Sequence, residues 1–438
     1  MSPEAAIGRF LRLLRTPARI LVAISGGSDS TGLLLLLCEA LKAAPNLSIS
    51  LCAATVDHAL RSGSAEEARQ VAAFCASISI PHRTMVWQGE KPKSGIMAAA
   101  REARYDLLAE AAEALDANLI VTGHTLDDQR ETLQMRSKRT EQISTGIADA
   151  VLFDRRFWIL RPLLFSSRAD IRAFLNARAV SWIDDPSNED VKYERVRARR
   201  ELSADRDAEG DIGGGWEERL VLSATGAEWL RRYFALHGGL LGHVMPDGLR
   251  QNHAVLGYVL GRLTAVFGGQ PFVPGREQME RLLTFATGGK PGRLTIGRVV
   301  FDLRRDGLYL AREGRGLLPL TLQPGEAGIW DGRFRVRNRS RAAVRVEAIA
   351  NSGMTGDHVA HLPKSAWNRA AGSAPALLAD ESPLSAKYAQ SVDLTPHFAP
   401  FDRFLTRFDF TFAERLSAVF SRAPYAEPPL RSIDGKMI

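Results

Sequence analysis

Three short polar stretches of this sequence carry residue types that can bind an anion or move a proton. The first spans residues 25–30 and combines serine hydroxyls, two glycines and one aspartate. The second is Asp57-His58, and the third runs from His124 to Asp128. Hydroxyl and backbone N–H groups suit a phosphate, whereas carboxylates suit Mg²⁺ or an ammonium group. The three stretches together predict chemistry on a nucleotide.

The first stretch lies between an apolar run at 20–24 and the apolar start of a helix at 33–37. A strand, a glycine turn and a helix present backbone N–H groups and a helix N-terminus to an anion. Gly26 and Gly27 allow close approach because neither has a Cβ, and Asp29 would hold a Mg²⁺ ion that accompanies the phosphates. An ordinary serine-glycine turn is the alternative. The predicted phosphate loop consists of Ser25, Gly26, Gly27, Ser28, Asp29 and Ser30.

The elements that position these stretches alternate between strands and helices. Apolar runs predict strands at 20–24, 49–56, 83–87, 118–122 and 157–160, with helices at 64–77, 95–115 and 167–178 between or after them. Alternation of this kind predicts an α/β fold with a doubly wound parallel sheet. Ligands of such sheets bind outside the carboxyl ends of the strands, and all three polar stretches follow a strand there.

The third stretch contains two adjacent carboxylates. On a helix, Asp127 and Asp128 point in different directions, so one would bind Mg²⁺ or a substrate ammonium while the other caps the helix. His124 with Asp128, and Asp127 with Glu131, would each share a helical face if the helix starts early enough. The alternative is an acidic first turn that complements the helix dipole.

Two further groups are assigned to the nucleotide. Asp57 and His58 follow the second strand, where an adenosine would lie beside the phosphate loop, although a strand-end turn with a satisfied histidine is the simpler alternative. Arg101 and Arg104 lie on the alanine-rich helix at 95–115 and are predicted to reach the phosphates. Arginines on such a helix are otherwise merely solvated.

Composition narrows the class of protein. The chain has 438 residues, of which 45% are hydrophobic and 24% charged, which suits a soluble globular protein of two or three domains. No apolar run is long enough to span a membrane, and the N-terminal segment has no secretory cleavage pattern. Cys38, Cys52 and Cys75 are scattered in apolar contexts, which predicts buried thiols in a reducing cytoplasm.

Basic segments predict a polyanionic partner, as does the net charge of +7. Five cations lie within 192–200, and arginine recurs at every second position from 333 to 341, so that a strand would carry five guanidiniums on one face. A solvated helix and a charged edge strand are the alternatives. Because like charges on one face repel each other, we favour an RNA backbone. The predicted RNA-binding residues are Arg195, Arg197, Arg199, Arg335, Arg337 and Arg339.

An acidic and glycine-rich linker at 205–215 separates the predicted domains. We expect a nucleotide-binding domain at 1–208 and a helical domain at 216–290, with one helical segment from about 216 to 285. A small mixed α/β domain with a loose tail would occupy 291–438.

Several motifs follow one another along about the first half of the chain. They are residues 25–30, Asp57-His58 with Leu60-Arg61, Arg101 to Tyr105, His124 with Asp127-Asp128-Gln129 and Glu131-Thr132, Arg161-Pro162-Leu163-Leu164, Trp182 with residues 185–188, and Arg195 to Arg199. In this order they resemble the tRNA(Ile)-lysidine synthetase family of the PP-loop ATP pyrophosphatases. The chain departs from the family at Thr125, where a second histidine is usual, at Ala59, where glycine is usual, and at 137–142, where a glycine-rich turn is usual.

The resemblance implies an ATP-dependent ligase. ATP would adenylate C2 of the wobble cytidine of a tRNA-Ile with anticodon CAU, and the ε-amino group of free lysine would then displace AMP. It further implies that residues 25–30 hold pyrophosphate, Asp29 and Asp128 bind Mg²⁺, and Arg101 stabilises the α-phosphate. Asp127 or Asp128 would complement lysine, and His124 would transfer a proton or orient the nucleotide. A homodimer is left open.

Three other functions fit parts of the sequence. A PP-loop tRNA thiolase would need a nucleophilic cysteine or an iron–sulfur cluster, and no Cys-x-x-Cys occurs. An amide-forming PP-loop ligase acting on a small carboxylate would leave the basic segments without a role. A tRNA-binding protein without catalysis would not need Asp29, Asp127 and Asp128.

Overall fold

The computed structural model describes residues 1–137, 144–184, 214–348, 361–379, 382–383 and 390–431. The chain forms two compact units, one of Met1–Arg219 with Ala426–Ile438 and the other of Leu220–Tyr425. The three-domain division predicted above, with boundaries near 208, 216 and 290, stays a prediction.

The first unit alternates strands and helices as the apolar periodicity predicts. Most predicted elements agree with the observed ones to within about two residues. One strand, β5, was not predicted. The elements are α1 (Pro3–Leu13), β1 (Ala18–Ala23), α2 (Ser28–Ala43), β2 (Ile49–Asp57), α3 (Ser64–Ser77), β3 (His82–Val86), α4 (Ile96–Ala114), β4 (Leu119–Thr122), α5 (Leu126–Ser137), β5 (Ala150–Phe153), β6 (Phe157–Leu160) and α6 (Arg168–Asn176).

Six strands of the first unit form a sheet in the order β5-β6-β4-β1-β2-β3. Neighbours from β6 to β3 run parallel, with Ile20 of β1 paired to Leu51 on one side and Leu119 on the other. This confirms the predicted doubly wound α/β fold. Strand β5 is an antiparallel exception, because the tight turn at 154–156 folds it directly onto β6.

The parallel order places the strand ends that carry the polar stretches on one edge of the sheet. Strand β1 sits centrally and is almost wholly buried, since its residues are apolar on both faces. Strands β2 and β4 flank it, so the segments that follow 23, 57 and 122 emerge at the same edge. This is the edge at which ligands bind in open α/β sheets.

The second unit is built from helices and antiparallel strands. Helix α7 (Gly214–Tyr233) begins before the boundary between the units and extends into this one. The other elements are β7 (Phe234–His237), β8 (Leu241–Val244), α8 (Pro246–Leu249), α9 (His253–Gly268), α10 (Arg276–Thr287), β9 (Gly292–Ile296), β10 (Val299–Arg304), β11 (Gly307–Arg312), β12 (Leu320–Leu322), β13 (Ala327–Trp330), β14 (Phe334–Asn338), β15 (Val344–Ala348), α11 (Lys364–Ala371), β16 (Pro375–Ala379), β17 (Ser382–Pro383), β18 (Val392–Pro396), β19 (Phe404–Thr406) and α12 (Phe410–Val419).

The strands from β7 to β18 form three antiparallel arrangements: β7-β8-β11-β10-β9, β12-β15-β16-β17 and β13-β14-β18. The single helical segment predicted for 216–285 is wrong at 234–244, where β7 and β8 form a hairpin. Gly238 and Gly239 both adopt a positive φ, 57° and 69°, and make the turn between the two strands. Within the described ranges, no helix is both long and apolar enough to cross a membrane.

Candidate active site

The phosphate loop joins β1 to α2 and is held by its own serines. The backbone N–H of Ser25 donates to Ser30 Oγ at 3.1 Å, and Ser30 Oγ lies 3.2 Å from the carbonyl oxygen of Gly27, to which it donates. Gly26 has a φ of +86°, and a Cβ there would lie 2.7 Å from Ile183 Cδ1. Gly26 is therefore required both by its backbone conformation and by the close approach of a neighbouring side chain.

The sequence offers Ser30 or Thr31 as a cap of α2, and this prediction is wrong, because the helix begins at Ser28 with Gly27 as its N-cap. The first-turn N–H groups of α2 point towards the loop, as an anion site needs. Ser28 Oγ donates to Asp29 Oδ1 at 3.1 Å. The Asp29 carboxylate is therefore oriented by its own loop.

The segment after β4 lies directly against this loop. A Cβ at Gly123 would lie 2.9 Å from the carbonyl carbon and oxygen of Asp29 and from the backbone nitrogen of Ser30. Only glycine permits so close an approach of two backbones. The structure thus brings the first and third polar stretches together, as their place at strand ends predicts.

Thr125 and Asp128 form the N-terminal cap of α5. Asp128 Oδ2 accepts hydrogen bonds from the backbone N–H of Thr125 at 2.7 Å and from Thr125 Oγ1 at 3.1 Å. This reciprocal arrangement resembles a capping box and fixes the Asp128 carboxylate on the side of α5 that faces the loop. Asp127 has a different task, since its Oδ2 accepts the backbone N–H of Arg168 at 2.8 Å, at the first residue of α6.

The Arg168 guanidinium joins the carboxylates of two helices. Its Nε donates to Asp29 Oδ2 at 2.9 Å, and its Nη2 donates to Asp128 Oδ1 at 3.2 Å. Glu131 Oε1 lies 3.8 Å from Nη1. The side chains of Asp29, Asp128 and Glu131 are 19%, 10% and 1% exposed, so this is a largely buried charge cluster.

Burial and charge act against each other in this cluster. Burial raises the pKa of Asp29, and Arg168 opposes that rise without cancelling it. Burial lowers the pKa of Arg168, but Asp29, Asp128 and Glu131 outweigh burial and hold it above its ordinary value. The guanidinium stays charged and partly neutralises the acidic groups.

Sequence reasoning missed Arg168. The available signal was its position, because it begins the helix that follows β6 and therefore lies at the ligand-binding edge of the sheet. Ser167 before it accepts a hydrogen bond from the backbone N–H of Asp170, a typical N-cap arrangement that the sequence shows as Ser-x-x-Asp.

His124 does not share a helical face with Asp128. Helix α5 begins at Leu126, so His124 lies before it, and its Nδ1 is 2.9 Å from Thr122 Oγ1. The predicted i,i+4 pair of His124 and Asp128 is therefore wrong, whereas Asp127 and Glu131 both lie on α5. A role for His124 in proton transfer stays a prediction.

Asp57 and His58 lie at the carboxyl end of β2. Asp57 Oδ1 accepts the backbone N–H of Ala59 at 2.8 Å, as in a strand-end turn, and Ala59 adopts a φ of 50°. Burial and the charge of Arg104 lower the pKa of His58, whose buried Nδ1 has no hydrogen-bond partner. The lowered pKa favours the neutral form of His58, whose ring lies at 90° to that of Trp87 with the ring centroids 6.0 Å apart.

Arg101 is exposed on α4, with its guanidinium carbon 5.1 Å from the centre of the Tyr105 ring. The charges of Arg161, Arg101 and Arg104 outweigh burial and lower the pKa of Tyr105 to about 8. These arginines therefore produce a positive potential on this side of the unit. Contact of Arg101 with the α-phosphate stays a prediction.

The arginine-rich strand differs from its prediction. Strand β14 spans only Phe334–Asn338 and lies between β13 and β18, so it is not an edge of that sheet. Arg335 and Arg337 are exposed on one face of β14, as predicted. The face of five guanidiniums is wrong, because the strand ends at Asn338.

The arginines on either side of β14 have local acidic partners. Arg339 lies beyond the strand end and pairs with Asp393 at 2.6 Å. Arg333 precedes the strand and is buried, and its Nε donates to Asp331 Oδ2 at 2.6 Å. Arg195, Arg197 and Arg199 lie outside the described residues.

Asp29 and Asp128 fit a Mg²⁺ site of the kind completed by a substrate. One guanidinium contacts both carboxylates, so acidic oxygens from α2 and α5 lie around one cationic group. Mg²⁺ commonly binds through one or two carboxylates and the phosphates of a nucleotide. Among the described residues, no three His, Cys, Asp or Glu side chains are arranged to hold a metal ion without other ligands.

Comparison with known proteins agrees with this geometry. The family described as PP-loop domain matches residues 3–205. The tRNA(Ile)-lysidine synthase of Rhizobium meliloti is 42% identical over 97% of this chain and 96% of its own. Those of Mesorhizobium japonicum and Brucella anthropi are 37% and 33% identical over 93% and 92% of this chain, and over 93% and 94% of their own.

A solved structure of a U34-tRNA thiolase from Methanococcus maripaludis aligns with 47% of this chain and 73% of its own, at 16% identity and a TM-score of 0.39. A likeness this weak carries no functional argument. The close relatives are similar over nearly their whole length, and the PP-loop domain contains the site described above. They confirm the expected ATP-dependent ligase, and the chain belongs to the tRNA(Ile)-lysidine synthase family.

Proposed function

We propose that this chain uses ATP to attach lysine to C2 of the wobble cytidine in a tRNA-Ile with anticodon CAU. The observation that carries the proposal is the contact of Asp29, in the phosphate loop, with the same guanidinium that binds Asp128. Such a site binds phosphates beside carboxylates that can receive a cation or an amine. The name of the relatives, tRNA(Ile)-lysidine synthase, supports tRNA(Ile) as the RNA substrate, and the family resemblance implies lysine and the wobble cytidine.

In the proposed first step, the cytidine O2 attacks the α-phosphate of ATP and pyrophosphate leaves. The first-turn N–H groups of α2 and the loop serines bind the departing phosphates, and Arg101 stabilises charge on the α-phosphate. Asp29 and Asp128 would hold Mg²⁺, which neutralises phosphate charge when bound. Asp57 and His58 orient the adenosine.

In the second step, the ε-amino nitrogen of lysine attacks C2, the bond from C2 to the adenylated oxygen breaks, and AMP leaves with its electron pair. The nitrogen loses a proton as the new bond forms. His124 is placed after β4 to accept that proton or to orient the nucleotide. Asp127 or Asp128 complements the positive charge of lysine before the proton is lost. The wobble base must leave the anticodon stack to reach this site.

Cysteine chemistry is poorly supported by the structure. Cys52 and Cys75 are buried and Cys38 is half-buried. Burial raises the pKa of all three thiols, that of Cys75 to about 11, so thiolate is scarce at neutral pH. This favours lysine over sulfur as the nucleophile. We also place the chain in the cytoplasm, where such thiols stay reduced, and leave a homodimer open.

The experiment that tests the proposal compares the wild-type chain with a variant in which Cys38, Cys52 and Cys75 are all alanine. Both are given ATP, a CAU transcript and lysine, and the AMP and pyrophosphate are quantified. We expect release that depends on tRNA in both proteins. Release of ADP, or loss of turnover in a cysteine-free variant that is still folded, would contradict the proposal. Binding without turnover in either protein would favour the non-catalytic alternative.

A further inference from the structure

The structure points to a positioning role for Arg168, whose guanidinium contacts both carboxylates of the proposed site. We infer that Arg168 holds the carboxylates of Asp29 and Asp128 in the orientation in which they receive Mg²⁺ with the nucleotide. The inference rests on the proposed function only in taking this site for one that binds ATP with Mg²⁺.

The backbone of Arg168 is held in place by contacts with two neighbouring helices. Helix α6 packs so closely on α2 that a Cβ at Gly32 would lie 2.4 Å from Ile171 Cγ2. The N-terminal residue of α6 is then tied to α5, because Asp127 Oδ2 accepts the N–H of Arg168 at 2.8 Å. The guanidinium therefore extends from a rigid point between two helices.

The side chain links groups that would otherwise repel each other. Nε contacts Asp29 on α2, while Nη2 contacts Asp128 and Nη1 approaches Glu131, both on α5. Three buried carboxylates without a cation between them repel each other and would move apart. With Arg168 present, three carboxylates and one guanidinium leave a formal charge of −2, which one divalent cation balances.

Arg168 leaves room for a metal at the same carboxylates. It uses Oδ2 of Asp29 and Oδ1 of Asp128, while the other oxygens accept from Ser28 and Thr125. Because each carboxylate oxygen has more than one acceptor direction, Mg²⁺ can bind these oxygens while the hydrogen bonds persist. Arg168 thus orients the ligands of the metal and does not compete with it.

The test measures the affinity of a fluorescent, non-hydrolysable ATP analogue as a function of Mg²⁺ concentration, without tRNA or lysine. For Arg168→Ala, we expect the Mg²⁺ concentration at half-maximal binding to rise about 10- to 100-fold, the usual effect of removing a group that orients metal ligands. Arg168→Lys keeps the charge but not the planar fork, so its rise should be smaller. An unchanged or lower Mg²⁺ requirement in Arg168→Ala would overturn the inference, and a lower one would make Arg168 a competitor of the metal.

The matched control is Arg178→Ala. Arg178 lies two residues after the end of α6 and pairs with Glu39 at the surface. The Mg²⁺ requirement of the Arg178→Ala variant should therefore equal that of the wild type. Circular dichroism establishes that each variant is folded. If Arg168→Ala does not fold, Arg168→Lys decides, and an unchanged Mg²⁺ requirement in that variant would overturn the inference. Because no lysine or tRNA is present, failure of the proposed function would leave this result unaffected.

Discussion

Arg168 Nε donates a hydrogen bond to Asp29 Oδ2 at 2.9 Å, joining residues 139 positions apart. This contact connects the helix after the last parallel strand to the loop after the first one. Since Asp128 accepts from the same guanidinium, one cation organises the acidic side of the phosphate loop.

Replacing Asp29 with asparagine should abolish AMP formation and leave tRNA binding nearly unchanged. The asparagine keeps the size of the side chain and its contact with Ser28, but it removes the charge that faces Arg168 and a bound cation. AMP release and transcript affinity, measured on the same preparation, check this. Asp170→Asn, an exposed carboxylate in the first turn of α6, is the control and should turn over normally. Wild-type turnover in Asp29→Asn would contradict the assignment of Asp29 to the active site.

Substitutions of Asp128 should distinguish its structural role from its chemical role. In Asp128→Asn, the amide oxygen can still accept from the N–H of Thr125, so α5 should keep its cap while turnover is lost with the charge. Thr125→Ala, which loses the cap hydroxyl but keeps the carboxylate, should cost about 1 kcal/mol of stability. Urea unfolding and AMP release measure the two effects. Equal loss of stability in Asp128→Asn and Asp128→Ala would show that the charge, not the cap, stabilises the unit.

Replacing Arg335, Arg337 and Arg339 together with glutamine should weaken tRNA binding and flatten its salt dependence. Each lost phosphate contact should reduce the slope of log K against log [salt] by about 1. Arg305 and Arg315, also exposed in this unit, give a control variant with a similar loss of charge. An unchanged slope would indicate that the arginines of β14 are solvated and do not contact tRNA. If tRNA binding weakens only in the single variant of Arg339, the cause is the loss of its ion pair with Asp393 and not of a phosphate contact.

Asp402 should make the second unit sensitive to acid. It is 2% exposed and accepts hydrogen bonds from Arg422 at 2.7 Å and from Tyr425 at 2.7 Å. Burial raises the pKa of Asp402, but the His397 ring and the charge of Arg422 outweigh burial and hold it well below its usual range. The stabilisation of the folded state by the Asp402 carboxylate is therefore complete above the pKa of an unfolded aspartate, about 3.9. It is lost as the pH falls towards the lower pKa of Asp402 in the folded state.

Asp402→Asn should then cost about 3–5 kcal/mol of stability near neutral pH, because Arg422 is left buried without its partner. The difference from wild type should shrink as pH falls below about 4. Asp393→Asn removes a half-exposed partner of Arg339 and should cost about 0–1 kcal/mol at any pH. Urea unfolding at several pH values measures both. A loss in Asp402→Asn that does not depend on pH would contradict the assigned ion pairs.

Local signals predicted much of the first unit. The glycine loop and the apolar strands depend on residues close in sequence, and their positions agree with the structure. The cap of α2 differs, because the helix begins earlier, at Ser28, with Gly27 as its N-cap. Strand β5 was missed because its pairing with β6 depends on a tight turn and not on a long apolar run. Arg168 was missed because its partners, Asp29 and Asp128, are distant in sequence.

The arginines near β14 show the opposite error. Alternation placed five of them on one face, but the strand ends at Asn338 and Arg333 turns inward to Asp331. Periodicity describes a strand only within its bounds, and those bounds depend on tertiary partners. Pairing of Arg333 with a buried carboxylate was not visible in the charge pattern.

The most direct test of the central claim uses labelled lysine, ATP and two transcripts of tRNA-Ile, one with anticodon CAU and one with the wobble cytidine replaced by uridine. We predict that lysine enters only the CAU transcript, with one AMP released for each lysine bound. Incorporation into both transcripts, or AMP release from the CAU transcript without lysine incorporation, would contradict the claim that this site joins lysine to the wobble cytidine.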